Sequence, residues 1–582
     1  MPFRRWAQVI CLGLFLVALA GAAGGWLVYP DLFLRLDPAL VGTTALAART
    51  LAWAFLPAAL VLASALLLGR AFCGHVCPMG TTIDGSDHLL GSPRRPPADL
   101  GRLRPIKYYI LAILLGAALL GISLVFLAAP LSLITRFYGL LIYPVAERLA
   151  DGTLTVVRPL AEALDLRALT FARIDPPRFA TLLFLITFFA AIFALAKLAP
   201  RFWCRYLCPA GALLGAVSNR PLIRRQVSDD CIDCGKCART CPMDAIPGDD
   251  PLATRYRECI TCTTCETVCP VAAITFPADR TKEGVISYRP STPSTLSTSS
   301  TQSTPSTPAS PERRRLLLAG LAGAGTAAVG LTGLYGPYPD AGEGQVQAVG
   351  LLRPPSALPE TQFLARCVRC GECMAACPTN TLQPIGLRAG WTALFSPALT
   401  PRRAYCDPRC HRCADACPTG AIRPLSDPER IWAKTGTAII HRRKCLAWEY
   451  KKSCMVCDEV CPYDAIDFRR EPGNPYPVPH VQEERCAGCG YCEHFCPIYH
   501  EAAIVATPMG ALRLTRGSFV REGKGRGLRL TLKRTSEEGA ARFYPAAPES
   551  DGAPGFDDGG VPETAPGFDS GFDSGFDSPD ED

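Results

Sequence analysis

Histidine is scarce, with seven residues in 582. None falls in the apolar runs at 7–29, 46–69, 106–128 and 179–199, which excludes a b-type haem ligated between two such runs. Net charge is also small, +7, and divides between a basic body and an acidic tail, so there is no nucleic-acid footprint and no nucleic-acid partner is expected. No Walker motif or hydrolase triad occurs. Gly323-Ala324-Gly325 imitates a dinucleotide loop, but no strand precedes it.

What the chain has instead is sulfur and apolar length. Cysteine appears 29 times and hydrophobic residues make up 48% of the sequence, with a mean hydropathy of +0.15. The length calls for several domains. Secreted disulfide scaffolds are also cysteine-rich, but they are short, and cysteines two residues apart are poorly placed to bond one another. Membrane and metal are therefore the first expectation.

Each of the four apolar runs is long enough to cross the hydrocarbon core as a helix. Arg4 and Arg5 precede the first, and Arg70, Arg94, Arg95, Arg102, Arg104 and Lys107 fill the loop after the second, which places that face in the cytoplasm. Four crossings return the chain to its starting side, so the cysteine-rich stretch 231–269 is expected beside the N-terminus. The apolar segment 131–149 is broken by Arg136, Pro144 and Glu147. It reads either as an interfacial helix on the outer face or as a plain connecting helix.

Residues 290–311 are Ser, Thr and Pro with nothing to bury, a flexible linker. Arg313-Arg314-Arg315-Leu316-Leu317 follows, leading into a weakly apolar Gly/Ala-rich stretch, and resembles an internal twin-arginine export signal that can remain as a fifth span. Such a signal fits clusters inserted before export, because twin-arginine transport carries folded cargo. Between 508 and 535, alternating apolar and polar residues read as a short β-hairpin. From about 547 the chain is an acidic, repetitive tail unable to form a core.

Cys231, Cys234, Cys237 and Cys241 with Pro242 have the bacterial ferredoxin spacing, and Cys259, Cys262, Cys265 and Cys269 with Pro270 repeat it. Three thiolates two residues apart wrap one cubane while the fourth reaches its neighbour. The expected quartets are thus Cys231, Cys234, Cys237 with Cys269, and Cys259, Cys262, Cys265 with Cys241. Zinc sites use two separated cysteine pairs rather than a tight triplet plus Cys-Pro.

Four further runs follow: Cys367, Cys370, Cys373, Cys377; Cys406, Cys410, Cys413, Cys417; Cys445, Cys454, Cys457, Cys461; and Cys486, Cys489, Cys492, Cys496. Each ends in Cys-Pro. Longer first gaps in the second and third runs read as loop insertions, and Cys410-His411 fits its run better than it fits haem attachment. These 24 cysteines are the expected iron ligands of six 4Fe-4S clusters.

Cys73-Gly74-His75-Val76-Cys77-Pro78 and Cys204-Arg205-Tyr206-Leu207-Cys208-Pro209 each follow an even-numbered span, on the same face. Cys73, Cys77, Cys204 and Cys208 could jointly hold a metal, act as redox-active thiols, or simply end helices at a proline stop. A redox or quinol role is the expectation carried forward, with His75 placed to help a proton leave. Cys11 reads as a small apolar core residue.

On these residues the first 280 or so positions resemble NapH, the membrane subunit of periplasmic nitrate reductase systems, whose relatives include the membrane part of NosR. The likeness rests on four spans, the two Cys-x-x-x-Cys-Pro motifs and a terminal double ferredoxin. Residues from Arg313 to about 505 resemble NapG and the similar MauM, which join a twin-arginine signal to four ferredoxin runs. The resemblance implies a fusion of the two and a multidomain fold: an α-helical membrane bundle of four spans plus a fifth signal-anchor, carrying α+β ferredoxin modules of the 2x(4Fe-4S) type. Its expected parts are a membrane domain at 1–215, a double ferredoxin at 216–282, a linker at 283–312, a signal or anchor at 313–336, a four-cluster domain at 337–546 and a tail at 547–582.

By the same resemblance Cys377 and Cys496 exchange between the outer runs, and Cys417 and Cys461 between the inner ones. The implied activity is oxidation of membrane quinol, with quinone as product and electrons passed to a periplasmic reductase or cytochrome. The setting would be a bacterial inner membrane, with the first module cytoplasmic and the second periplasmic. Two rivals remain: an electron-donating assembly factor for a metalloenzyme, and a polyferredoxin with every cluster in the cytoplasm.

Overall fold

A computed structural model describes residues 2–24, 31–50, 56–92, 98–170, 174, 176–219, 221–277, 311–331, 351–386 and 389–533. The 283–312 linker, apart from its last two residues, and the 547–582 tail lie outside them. Met1–Leu532 group as one unit.

The first half is helical. Helix α1 (Pro2–Gly24) has no proline or acid beyond its first position, and over Phe3–Gly24 it is long and apolar enough to cross a membrane. The expected second run is divided: α2 (Pro38–Ala48), started by Pro38 behind the Asp37 cap, ends at Arg49, whose φ of 51° is left-handed. Residues 51–55 lie outside the described set, and α3 (Leu56–Leu68) follows. Next come α4 (Pro78–Leu90) and α5 (Ile106–Leu119). The third run stops short at Leu119 because Gly121, with φ 84°, turns the chain. Fourteen residues make a helix of about 21 Å, against roughly 30 Å of hydrocarbon. Among the described residues only α1 has the length and composition to span alone.

Helix α6 (Pro130–Arg136) runs through a π turn at Phe137–Ile142 into α7 (Tyr143–Ala163). The stretch 131–149 is divided: Leu131, Leu133, Ile134 and Leu140 are fully buried, while Ile142, Val145 and Leu149 are exposed. Helices α8 (Leu182–Ala194) and α9 (Pro209–Val217) complete this part. The 313–336 segment enters as α10 (Pro311–Leu331), which packs along α5 with small residues at the crossing. A side chain on Gly116 would strike the Gly320 carbonyl, and one on Gly323 the Ile113 carbonyl. Val9, Leu14, Leu60, Leu67 and Leu183 stand exposed around the helices.

The cysteine-rich parts are small α+β units, each closed by antiparallel pairing. In the first, β1 (Gln226–Val227) pairs β2 (Ile274–Thr275) and brackets Cys231–Cys269. An Ala357↔Ile422 bridge, with Leu358 N–H donating to Ala421 O at 3.1 Å, brackets the runs from Cys367 to Cys417. Inside it β3 (Leu382–Pro384) pairs β4 (Pro397–Leu399). In the last unit β5 (Thr437–Ile440) pairs β8 (Ile504–Thr507) around Cys445–Cys496, with β6 (Ile466–Arg469) and β7 (Val478–Val481) inside.

The expected hairpin at 508–535 is absent among the described residues, which form α11 (Phe519–Gly525). Ser518 caps it by accepting from Arg521 N–H, and Phe519 is fully buried, so capping and burial override the alternation.

One helix relates the two halves. At its start Lys107 of α5 meets Glu258 of the first unit, and near its end Ala118 packs with Ala365 of the second. Along α1, likewise, Arg4 donates to Gly74 O beside the first unit, while Leu19 meets Gly139 and Gly139 meets Ala375. The units therefore dock at opposite ends of the helices.

Candidate iron-sulfur sites and a buried thiol cluster

The runs fold as they do because of backbone handedness. Four of them place left-handed residues on both sides of the second cysteine: Asp233 and Gly235, Thr261 and Thr263, Arg369 and Gly371, Gly488 and Gly490. Each such residue other than glycine costs about 1–2 kcal/mol, so the wrap is bought by what it encloses. The runs with longer first gaps lack it, with φ of −127° at His411 and −121° at Met455.

All six runs turn after the last cysteine. The second residue beyond the proline is left-handed in five, at Asp244, Ala272, Asn380, Gly420 and Asp464, and the third in the last run, at His500. In five of them the turn aims a backbone N–H at the thiol: Ala245 to Cys241 Sγ and Ala273 to Cys269 Sγ at 3.3 Å, Ile422 to Cys417 Sγ and Ala465 to Cys461 Sγ at 3.4 Å, and Ala503 to Cys496 Sγ at 3.3 Å. Such donors hold negative charge on sulfur and tune a cluster's potential.

Three cavities of similar size identify quartets directly. One of about 370 Å3, counting its mouth, is lined by Cys241, Cys259, Cys262 and Cys265, the set expected from the spacing. A second, about 360 Å3, is lined by Cys367, Cys370, Cys373 and Cys417, and a third, about 340 Å3, by Cys461, Cys486, Cys489 and Cys492. The implied exchange of Cys377 with Cys496 and of Cys417 with Cys461 is therefore overturned. Consecutive runs exchange instead, because each antiparallel bracket closes around two neighbouring runs.

The remaining quartets agree. Burial pushes the Cys413 thiol up, helped by Cys406, Cys377 and Cys410, and Cys496 packs with Cys445. Cys237 packs with Cys231 and Cys269.

These residues fit an iron-sulfur core. Burial pushes Cys259 and Cys457 up to about 12 and Cys406 up to about 11, so the bare thiols would stay protonated at neutral pH. Iron displaces that proton and supplies the positive charge a buried thiolate lacks. Among the described residues no three or more His, Cys, Asp or Glu gather closely enough for a single ion. When bound, the core exchanges single electrons. The protein's part is to exclude water and set the charge around the sulfurs. Arg225 Nη2 lies 3.5 Å from Cys237 Sγ and Arg430 Nη2 3.2 Å from Cys406 Sγ.

The quartets are linked. Cys406 N–H donates to Cys489 O at 2.8 Å, and Tyr405 stacks on Tyr491 with centroids 3.9 Å apart, joining the second unit to the third. The Cys367 quartet lies against the helices: Ser132 Oγ donates to Val368 O at 2.7 Å and Arg369 Nη1 to Ser123 O at 2.8 Å.

Cys73, Cys77, Cys204 and Cys208 come together at the opposite end. Burial pushes Cys77, Cys204 and Cys208 up, Cys204 to about 11, and each is raised further by other members of the group. The first unit covers them: Gly74 has no room for a side chain under Ile260 O, and Arg205 Nη2 donates to Pro242 O at 2.6 Å. His75 Nδ1 lies 3.1 Å from Ala71 O. The cysteine spacing gave no notice of Arg70, Arg201, Arg225, Glu258 or Arg430, although Arg70 and Arg201 each stand three residues before a cysteine and Arg225 six before Cys231.

Known protein families and relatives match these parts. A family model described as a 4Fe-4S binding domain covers residues 50–97 and 181–227, and one described as a 4Fe-4S dicluster domain covers 230–273 and 452–499. Another 4Fe-4S binding domain covers 363–383. The second dicluster match spans Cys454 to Cys496, in keeping with Cys461 beside Cys486. The methylamine utilization ferredoxin-type protein MauM of Paracoccus denitrificans is 36% identical over 160 residues, covering 26% of this chain and 69% of MauM. The ferredoxin-type protein NapG of Escherichia coli is 32% identical over 185 residues, 30% of this chain and 77% of NapG. YccM of Escherichia coli, named as an electron transport protein, is 34% identical over 246 residues, 41% of this chain and 58% of YccM.

Proposed function

Because the chain belongs to the family of ferredoxin-type proteins that includes MauM and NapG, an iron-sulfur family of electron transfer, we propose that it is a membrane-spanning relay from quinol to a periplasmic reductase or cytochrome. In this reading a NapH-like half and a NapG-like half are fused. The 1–215 part forms four spans with α10 as a fifth, and the 24 cysteines hold six clusters.

The observation that carries the reading is the placement of the two ferredoxin parts at opposite ends of the same helices. Exposed leucines around those helices support a lipid-facing surface. The 221–277 unit lies at the end of the N-terminus and the arginine-rich loop, the side that the positive-inside bias assigns to the cytoplasm. The units from residue 351 onward lie at the other end.

Quinol is oxidised near Cys73, Cys77, Cys204 and Cys208, losing two electrons and two protons. His75, with Nδ1 turned to the Ala71 carbonyl, keeps Nε2 to accept one of those protons. The Cys367, Cys406, Cys489 and Cys445 quartets would hold the clusters that supply the outward electron path, the second and third joined by the Cys406 N–H to Cys489 O bond and the Cys445 quartet outermost. Exposed Arg442, Arg443, Lys451 and Lys452 surround that exit, suiting an acidic partner surface.

The test is reduction of the full chain in proteoliposomes by a quinol analogue under anaerobic conditions, followed by EPR. Clusters that stay oxidised while dithionite reduces them would end the quinol assignment. A periplasm-only reporter fused after position 340 tests the sidedness, and its silence would return every cluster to the cytoplasm.

A further inference from the structure

The four bundle cysteines belong to two copies of one device. Arg70-Ala71-Phe72-Cys73-Gly74-His75-Val76-Cys77-Pro78-Met79-Gly80 and Arg201-Phe202-Trp203-Cys204-Arg205-Tyr206-Leu207-Cys208-Pro209-Ala210-Gly211 align without a gap. The same family model matches both stretches. In each copy the second cysteine is extended, with ψ of 114° at Cys77 and 113° at Cys208, immediately before a helix that begins with proline. The Cys208 thiol accepts the N–H of Gly211, the glycine three residues on, at 3.2 Å, and Gly80, its counterpart in the other copy, lies against Cys77.

The copies interlock. Arg70 Nη2 crosses to the Cys204 carbonyl at 3.4 Å, and Arg201 Nη1 crosses to the Cys73 carbonyl at 3.3 Å. A side chain on Gly80 would lie 2.8 Å from Cys73 O, and one on Gly211 2.5 Å from Arg70 Nη2. The first cysteine of each copy is thereby fixed by the arginine of the other, a pseudo-twofold arrangement with four thiols at its centre.

Charge around this centre is unbalanced. Arg70, Arg201 and Arg205 are all buried. Asp84 is shared between Arg201 and Arg4, Asp87 takes the Arg201 backbone N–H at 2.7 Å and faces Arg205, and Glu258 is shared between Arg70 and Lys107, so three carboxylates stand against five cations, with a carbonyl as the acceptor of the Arg205 side chain. Arg70 Nε and Arg205 Nη1 are buried donors without a hydrogen-bond partner among the described residues. Surplus buried positive charge beside four thiols is what a thiolate-ligated cluster needs, since four thiolates on a doubly positive iron-sulfur core keep a net negative charge. A lone ion is a poorer fit, because zinc holds sulfur at about 2.3 Å and no group of this kind is gathered that tightly among the described residues.

We infer that Cys73, Cys77, Cys204 and Cys208 together hold an iron-sulfur cluster of their own, additional to those of the ferredoxin runs and lying directly beneath the Cys241 quartet. The two copies supply two ligands each. Ile260, between Cys259 and Cys262, rests on Gly74, and Arg205, between Cys204 and Cys208, holds the carbonyl after Cys241, so the two sulfur groups are separated by single residues. This centre stands whichever way electrons run and whatever reduces it.

The test uses the full chain purified anaerobically in detergent. Cys77→Ser combined with Cys208→Ser removes one ligand from each copy, and Cys11→Ser serves as the control thiol outside the group. The paired variant should lose two to four irons with an equal number of acid-labile sulfides, together with one EPR signal, while the ferredoxin signals keep their intensity and Cys11→Ser loses nothing. Iron unchanged in the paired variant, or loss of zinc or copper in its place, overturns the inference. Native mass spectrometry of the unaltered chain decides the matter if the variant fails to fold. A mass accounted for by about 24 irons, the ferredoxin quartets alone, overturns it, and an excess of two to four irons upholds it.

Discussion

Arg430 is the clearest case of a single side chain acting on a cluster. It is 4% exposed, and its Nε donates to Cys410 O and its Nη2 to Asp407 O, both at 2.7 Å, while Nη2 reaches Cys406 Sγ. A fixed cation beside sulfur favours the reduced, more negative state of the cluster. Arg430→Leu should therefore lower the midpoint potential of that cluster, by about 60 mV if the equilibrium shifts tenfold. Potentiometric EPR checks this, and an unmoved midpoint would reduce Arg430 to a packing role. The ligands themselves were legible from spacing because a cubane needs closely spaced thiolates, and the three cavities fall where cysteine triplets stand. The left-handed residues behind each Cys-Pro were equally present in the sequence, as Asp244, Asn380, Gly420 and Asp464, side-chain types that tolerate that backbone. The repeat of Arg three residues before each Cys-x-x-x-Cys-Pro motif was present in the sequence, but not the crossing of Arg70 and Arg201, whose acceptors lie more than a hundred residues away.

Glu258 is a second residue-scale test. It takes Lys107 Nζ at 2.6 and 2.5 Å on its two oxygens and Arg70 Nη1 at 3.2 Å, and both cationic side chains are fully buried. Glu258→Gln keeps the shape and removes the charge, leaving two buried cations uncompensated at about 3–5 kcal/mol. The 221–277 unit should come free of the helices, seen as its faster cleavage by protease in detergent. A cleavage rate equal to that of the unaltered chain would mean that the triad contributes little to docking.

At the scale of elements, α10 depends on having no side chains where it crosses α5. Gly323→Leu or Gly116→Leu would drive a side chain into a facing backbone carbonyl, whereas Gly325 has nothing within 4 Å. The first two should lower stability by about 1–3 kcal/mol, and Gly325→Leu should not; thermal unfolding in detergent compares them. Equal behaviour of Gly323→Leu and Gly325→Leu would deny the crossing. Hydropathy located these helices but misjudged their limits, because apolar runs do not record a left-handed Arg49 or the Gly121 turn. Alternation misread 508–535 for a related reason: Phe519 is fully buried and donates its N–H to Glu429, ninety residues away in sequence. Cysteine exchange was likewise set by brackets such as Ile440↔Ile504, which spacing does not contain.

Across the whole molecule, the two halves are held by more than the chain that connects them. Arg178 N–H donates to Asn380 Oδ1 at 3.1 Å and Ala180 N–H to Gln383 Oε1 at 3.2 Å, beside the Ser132 and Arg369 bonds and the α5–α10 crossing. Each such bond contributes only about 0.5–1.5 kcal/mol, but the buried contact of Leu140 with Gly371 and of Ala118 with Ala365 adds apolar area to them. Insertion of a protease site between residues 283 and 310, followed by cutting in mild detergent, should therefore leave both fragments in one complex by size-exclusion chromatography. The cut chain should also keep its rate of reduction by a quinol analogue, since no step of the relay uses the linker. Fragments that separate while each retains its iron would show that the linker itself holds the halves together, and that the contacts at 123–140 and 178–180 are too weak to carry an electron path.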